Sequence, residues 1–452
     1  MDVVLENRAV LATIAGVAAI FILILRARMN AFAALMLVAI LSALAAGMAP
    51  EATFQTVQKG MGGTLGFIAP IIGLGALFGV ILEASGGVQA IAQRVASFGG
   101  VKTQRWSMGF LGIVAATPVF FDVALIILMP FIAGLATKTG RAAIGFGLPL
   151  VAGLAVGHAF VPPTPGPIAI AELIGADLGW VILFGSATGL VCVAVAGPIW
   201  TGLLDRRGAL PMGQPALGDT LAQDEEPTAQ SVSSGLAFAL ILSPLILILL
   251  GTMAGLLLPE GGLRDAMTII GHPFSALLLA SGAAWVCLRP SDEAGRTRMS
   301  SALSRAFEPT GVIILITGAG GAFKQVLVDT GAGAQLADHV LGLGFTPVVA
   351  GFVLALLVRV AQGSATVAMI TAAGLAAPIV SMAGLSPPQL GLVTIAIAAG
   401  ATGVSHVNDS GFWLVSRLFG LTEQETLRTW TMSTSLIAGT GLVTACLLYA
   451  VV

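Results

Sequence analysis

Apolar runs of about 20 residues, the length an α-helix needs to cross a bilayer, recur along almost the whole of this 452-residue chain. They occupy 9–25, 31–49, 64–82, 143–173, 178–204, 234–258, 271–288, 309–328, 389–415 and 431–451. Two more, 107–136 and 346–383, are too long for one span. Each is interrupted near its middle, by Thr117-Pro118 in the first and Gln362-Gly363-Ser364 in the second. They read as re-entrant hairpins, which enter the membrane, turn and leave on the same side. Such turns are tolerated only where protein or water satisfies the freed backbone groups. Only 9% of residues are charged, too few to cover a soluble fold of this length. The expected fold is an all-α polytopic membrane protein.

The 20 Lys and Arg set its orientation. With the N-terminus outside, most of them fall on cytoplasmic segments. Arg8, Lys59 and Arg264 fall outside, and Lys324 and Arg359 lie within apolar sequence. The first run reads as a span and not a cleaved signal, since Glu6 and Arg8 precede it and no small-residue cleavage site follows. The polar segment 205–232, with Asp224-Glu225-Glu226-Pro227, reads as a cytoplasmic linker between halves 1–204 and 233–452. A net charge of −2 without a basic stripe argues against nucleic acid as a partner. Cys192, Cys287 and Cys446 lie far apart, which supports neither a disulfide framework nor a zinc cluster. No metal or cofactor is expected.

The two halves resemble each other. Residues 75–87 read GALFGVILEASGG and residues 321–333 read GAFKQVLVDTGAG, with Glu83 on Asp329 and Gly87 on Gly333. The interruptions at Thr117-Pro118 and Gly363-Ser364 follow at similar offsets, as do the stretches around His158 and His406. Each half then holds five spans and one hairpin. Five is odd, so the second copy enters the membrane from the opposite side. Inverted repeats with broken helices meeting at the midplane are a plan of secondary transporters.

Polar groups within apolar sequence mark where such a site forms. In GHAFVPPTPGP, 157–167, four Pro and two Gly break a helix and expose backbone dipoles beside His158 and Thr164. In TGVSHVNDSGF, 402–412, Ser405, His406, Asn408, Asp409 and Ser410 crowd one short stretch, and a charge at mid-membrane costs about 2.5–3.5 kcal/mol. The hairpin tips, Thr117 to Asp122 and Arg359 to Thr366, offer hydroxyls and helix N-termini to an anion. Arg359 suits a carboxylate, either a ligand's or that of a structural partner such as Asp409 or Asp338. Asp122 and Asp409, with Glu83, Glu172 and Asp329, are the acids in or near apolar sequence and include the candidates for carrying a proton.

At GHAFVPPTPGP, VAQGSATVAM and SHVNDSGFWLVSRLFGL, with EASGG and TPVFFDVALIILMP, the chain resembles the gluconate permease family along nearly its whole length. The match sets His158, Thr164 and Gly166 in the first motif. Gln362, Gly363, Ser364 and Thr366 fall in the second, and His406, Asn408, Asp409 and Ser410 in the third. The resemblance implies proton-driven uptake of sugar acids, D-gluconate above all, across the bacterial inner membrane. Some relatives carry D-serine or other small organic anions. It also implies a scaffold domain that dimerises and a transport domain that moves as an elevator.

Other classes lack their marks. No GxxxxGK[ST] string points to a pump's nucleotide site, and neither HExxH nor a GxSxG with a plausible triad points to a hydrolase. The two hairpins differ in chemistry, unlike the repeated filter loops of channels. Na⁺ coupling is the rival to proton coupling, because carbonyls at broken helices bind Na⁺.

Overall fold

A computed structural model describes residues 8–96, 99–213, 232–290, 292–332 and 346–452, which are helical with short connections. The chain is an all-α polytopic membrane protein. Pro50, Pro165, Pro273, Pro347 and Pro387 each stand in the first turn of a helix, where the missing N–H had no helical partner to lose.

The first half runs Arg8–Leu25, Ala31–Ala46, Pro50–Ala84 and Gly87–Ala96. Then come a hairpin of Val101–Ala116 and Phe121–Thr139, a broken pair Ile144–Phe160 and Pro165–Ile174, and the span Leu178–Arg206. The second half opens with Ser234–Leu257 and the pair Gly262–Gly271 and Pro273–Leu288, bent by 65°. Glu293–Arg305 and Glu308–Asp329 follow, then a hairpin of Pro347–Gln362 and Ala365–Met382. A broken pair, Pro387–Thr402 and Ser410–Leu418, and the span Glu423–Tyr449 complete it. Long helix, hairpin, broken pair and closing span thus recur in the same order. Both closing spans contain a π turn, Val195–Ile199 and Leu427–Thr431. Ser433 of the second donates to the Ala196 carbonyl within the first, at 3.0 Å.

Apolar length alone misjudges several elements. The 64–82 run lies within a 35-residue helix that starts at Pro50, because the polar turns before it are helical too. Among the described residues eight helices are long and apolar enough to cross a bilayer, or nine if the bent pair counts as one. The sequence suggests ten spans besides the hairpins. Ala31–Ala46, at 16 residues, falls short of about 20, and 389–415 divides into helices of 16 and 9 residues. Asp205 belongs to the end of a helix, not to the linker. Its Oδ2 accepts from Arg105 Nη2 and Arg141 Nη1, both at 2.8 Å, tying the feet of the first hairpin to that helix. Asp338, Gly333 and linker residues 214–231 lie outside the described residues.

The broken pair of the first half runs through the interior, with nearly every side chain of Ile144–Ile174 buried. Glycine lets the hairpin reach it. A Cβ at Gly153 would collide with the Gly109 carbonyl, and one at Gly112 with that of Leu150. Small residues at such crossings allow backbones in a membrane to approach closely.

Candidate functional site

Both hairpin tips and the second break converge on one cavity of about 340 Å³, with His158 at its wall. Phe120, Phe121 and Val123 of the first tip line one side, with Ala155 and Ala159 from the helix that carries His158. Arg359, Ser364 and Thr366 of the second hairpin line the other, with Asp409 and Ser410 of the second break. Asp122 stands exposed at the cavity in the first turn of Phe121–Thr139. Trp430 and Thr434 enter from the closing span.

Three helices begin here. Ser364 caps Ala365–Met382 by accepting from the Val367 N–H, and Asp409 caps Ser410–Leu418 by accepting from the Gly411 N–H. Phe121–Thr139 starts at Phe120 with no side-chain cap. First-turn N–H groups lack helical partners and lie at the positive end of the dipole, so the cavity favours negative charge.

Arg359, 3% exposed, stands in the last turn of Pro347–Gln362. Its Nη2 donates to Asp409 Oδ2 at 2.5 Å. Its Nε and Nη1 are buried and have no hydrogen-bond partner among the described residues. Of the sequence alternatives for Arg359, the pair with Asp409 is made, and two donors are left over. Asp409 Oδ2 also accepts from Ser405 Oγ at 2.5 Å, and Ser405 Oγ accepts from Trp430 Nε1 at 2.8 Å. His158 Nε2 lies 3.3 Å from Thr366 Oγ1, linking the first break to the second hairpin.

The remaining sequence candidates stand off the cavity. Thr117 and Thr164 face a separate chamber of about 20 Å³ behind His158. Their hydroxyls donate to the Ile113 and Val161 carbonyls. Gly166 lies in the first turn of Pro165–Ile174, where a Cβ would press on Met369. His406 Nε2 and Asn408 Nδ2 both lie 2.9 Å from the Val360 carbonyl, and so brace the end of the helix that carries Arg359. Gln362 lies beside the tip, outside the cavity lining. Gly363 ends that helix with φ +88°, and a Cβ there would strike the Asn408 carbonyl. Gly363→Ala is expected to cost about 1–3 kcal/mol from backbone strain alone, and to part the tip from the break. Its melting temperature in detergent should fall clearly below wild type; an unchanged value rules this account out.

Several lining residues escape the sequence reading. Phe120, Phe121 and Val123 sit inside the quoted TPVFFDV string but look like ordinary membrane-facing residues. Trp430 and Thr434 belong to a polar run, Thr429 to Ser435, within an apolar span. That run was the available signal.

A family model described as GntP family permease matches residues 8–452. The chain belongs to the GntP permease family. The resemblance drawn from its motifs therefore holds, and this is a transport protein and not an enzyme. The low-affinity gluconate transporter of Escherichia coli K12 is 39% identical to this GntP permease over 433 residues, 96% of each chain. The Gnt-II system L-idonate transporter of the same strain is 36% identical over 431 residues, 95% of this chain and 96% of that one. Among solved structures, the Alcanivorax borkumensis YdaH transporter aligns over 88% of each chain with a TM-score of 0.62 and 17% identity. At that identity the likeness concerns the fold alone.

Proposed function

We propose that this GntP permease takes up D-gluconate or a related sugar acid together with protons across the bacterial inner membrane. One observation carries the reading. A buried Arg359 with two unpartnered donors lines the same cavity of about 340 Å³ at which three helices begin. A carboxylate suits those donors, and the hydroxyls of a sugar acid suit Ser364, Thr366, Ser410 and His158. The gluconate and idonate transporters among its relatives favour the same substrate class.

Charge accounting favours a proton partner. Arg359 and Asp409 neutralise each other, so an entering monoanion brings one net negative charge. An inside-negative potential opposes that charge by about 2.3 kcal/mol per 100 mV, and one co-transported proton cancels it. Of the two acids read as proton carriers, Asp409 is committed to Arg359 and Ser405. The proton then falls to Asp122, which has no hydrogen bond or ion pair among the described residues. In this reading the hairpins and broken pairs form the transport domain, which moves as an elevator between two membrane faces. The other helices form a scaffold that pairs in a homodimer. The halves are inverted copies, the N-terminus is outside and the 205–232 linker is cytoplasmic.

The test is uptake of labelled gluconate into proteoliposomes under an imposed pH gradient, with and without Na⁺, and with idonate and D-serine as competitors. Accumulation driven by pH alone is expected. Drive by Na⁺ alone would replace the coupling ion, and no uptake under any gradient would remove the carrier reading.

A further inference from the structure

The groups behind Arg359 form a directed chain. An indole nitrogen only donates, so Trp430 Nε1–H must be the donor to Ser405 Oγ, at 2.8 Å. Ser405 has one hydroxyl hydrogen, and Asp409 Oδ2 lies 2.5 Å from its Oγ. That hydrogen therefore goes to the carboxylate. Asp409 Oδ2 also accepts from Arg359 Nη2, and Oδ1 accepts from the Gly411 N–H at 3.1 Å. Every hydrogen bond of the Asp409 side chain among the described residues uses it as an acceptor, as an ionised carboxylate does.

Ser405 is held from every side by the closing span. Its N–H donates to Thr434 Oγ1 at 3.1 Å, and its carbonyl accepts from Thr431 Oγ1. Trp430 and Thr431 belong to the π turn Leu427–Thr431. Ser405 is fully buried and Trp430 is 3% exposed, so water does not compete for these bonds. The Trp430 ring also packs on Phe121 of the first tip, with centroids 5.7 Å apart.

We infer that Ser405 and the Trp430 indole N–H are positioning residues for substrate binding. They hold the Asp409 carboxylate against Arg359 Nη2, and this fixes the guanidinium of Arg359, a cavity-lining residue with two donors left unpartnered. Ser405 does not line the cavity, so it acts on substrate through Asp409 and Arg359. The inference rests on the carrier reading for its effect on transport, while the chain of bonds stands apart from it.

Two measurements test it. The first is a double-mutant cycle on the KM for gluconate counterflow. Ser405→Ala should raise KM about tenfold, the scale of a lost hydrogen bond to a charged group, with the maximal rate nearly unchanged. Trp430→Phe keeps the ring on Phe121 and should raise KM less. The double variant should match Ser405→Ala alone, because the indole N–H, the one polar group that Trp430→Phe removes from this cavity-lining residue, works only through that hydroxyl, and Ser405→Thr should restore the affinity. Additive effects, or an unchanged KM in Ser405→Ala, would overturn the inference. The second needs no transport. In protein labelled with ¹⁵N-tryptophan, the indole signal missing from Trp430→Phe should be displaced in Ser405→Ala and kept in Ser405→Thr. A signal that stays put in Ser405→Ala would overturn the chain. Should wild type carry no sugar acid, the carrier reading fails and this signal still decides the chain.

Discussion

Arg359→Met will eliminate gluconate uptake and lower thermal stability, and adding Asp409→Asn will restore only the stability. Arg359 and Asp409 are 3% and 8% exposed, so water cannot solvate either charge when its partner is removed. Breaking a buried pair from one side costs about 3–5 kcal/mol, mostly the penalty on the stranded charge. The Ser405 hydroxyl and Gly411 N–H still donate to Asp409 in the single variant, which places the expected loss toward the low end. The double variant strands no charge, so its unfolding temperature should return close to wild type. Uptake should stay lost, because Nε and Nη1 are absent in both. Thermal unfolding in detergent and counterflow in proteoliposomes read the two effects separately. Wild-type affinity in Arg359→Met would sink the assignment of Arg359 as the carboxylate's partner.

On the proposed proton coupling, Asp122→Asn is expected to turn concentrative uptake into equilibration. Asp122 shares the cavity with Asp409, close enough for their charges to interact. An ionised Asp122 repels an arriving monoanion, and a protonated one does not. Binding of the proton and of the sugar acid is thereby linked, which is the requirement for symport. One unit of pH difference is worth about 1.4 kcal/mol per proton, or tenfold accumulation. Asparagine is neutral at every pH, so accumulation under a pH gradient should collapse toward equal concentrations. Exchange of labelled for unlabelled gluconate should persist. Accumulation at the wild-type level in Asp122→Asn would assign the proton to another group, with His158 the next to test.

The sequence is most informative where a single residue alters the backbone on its own. Proline and glycine in apolar surroundings mark both hairpin tips and both breaks to within a few residues, since their effects are local. It is least informative about partners. Arg359 and Asp409 are 50 positions apart, and the sequence offers Asp409 only beside Asp338 and a ligand; Ser405 and Trp430 are 25 apart, and nothing in the sequence pairs them. Thr117 and Thr164 show a second way in which local partners stay hidden. Hydroxyls beside a break invite a ligand-binding role, yet both turn back to a carbonyl three or four residues earlier, an outlet always open to Ser and Thr. His406 and Asn408 likewise serve a carbonyl freed at a helix end. Interrupted helices create such needs in proportion to their breaks, so part of the polarity of these motifs maintains the architecture.

The widened turn at Leu427–Thr431 makes spacing matter as much as identity. Deleting one residue there would let the span close up as an ordinary α-helix, with no polar group left unsatisfied along its axis. The groups that now close an i to i−5 bond would close an i to i−4 bond instead, so the helix on either side would keep its phase and the change would fall on the turn itself. Trp430 lies inside that turn, so re-spacing it would move the indole relative to Ser405 although no tryptophan, serine or aspartate had changed. A length polymorphism in this stretch would therefore alter ligand affinity silently, leaving every residue of the binding motifs in place.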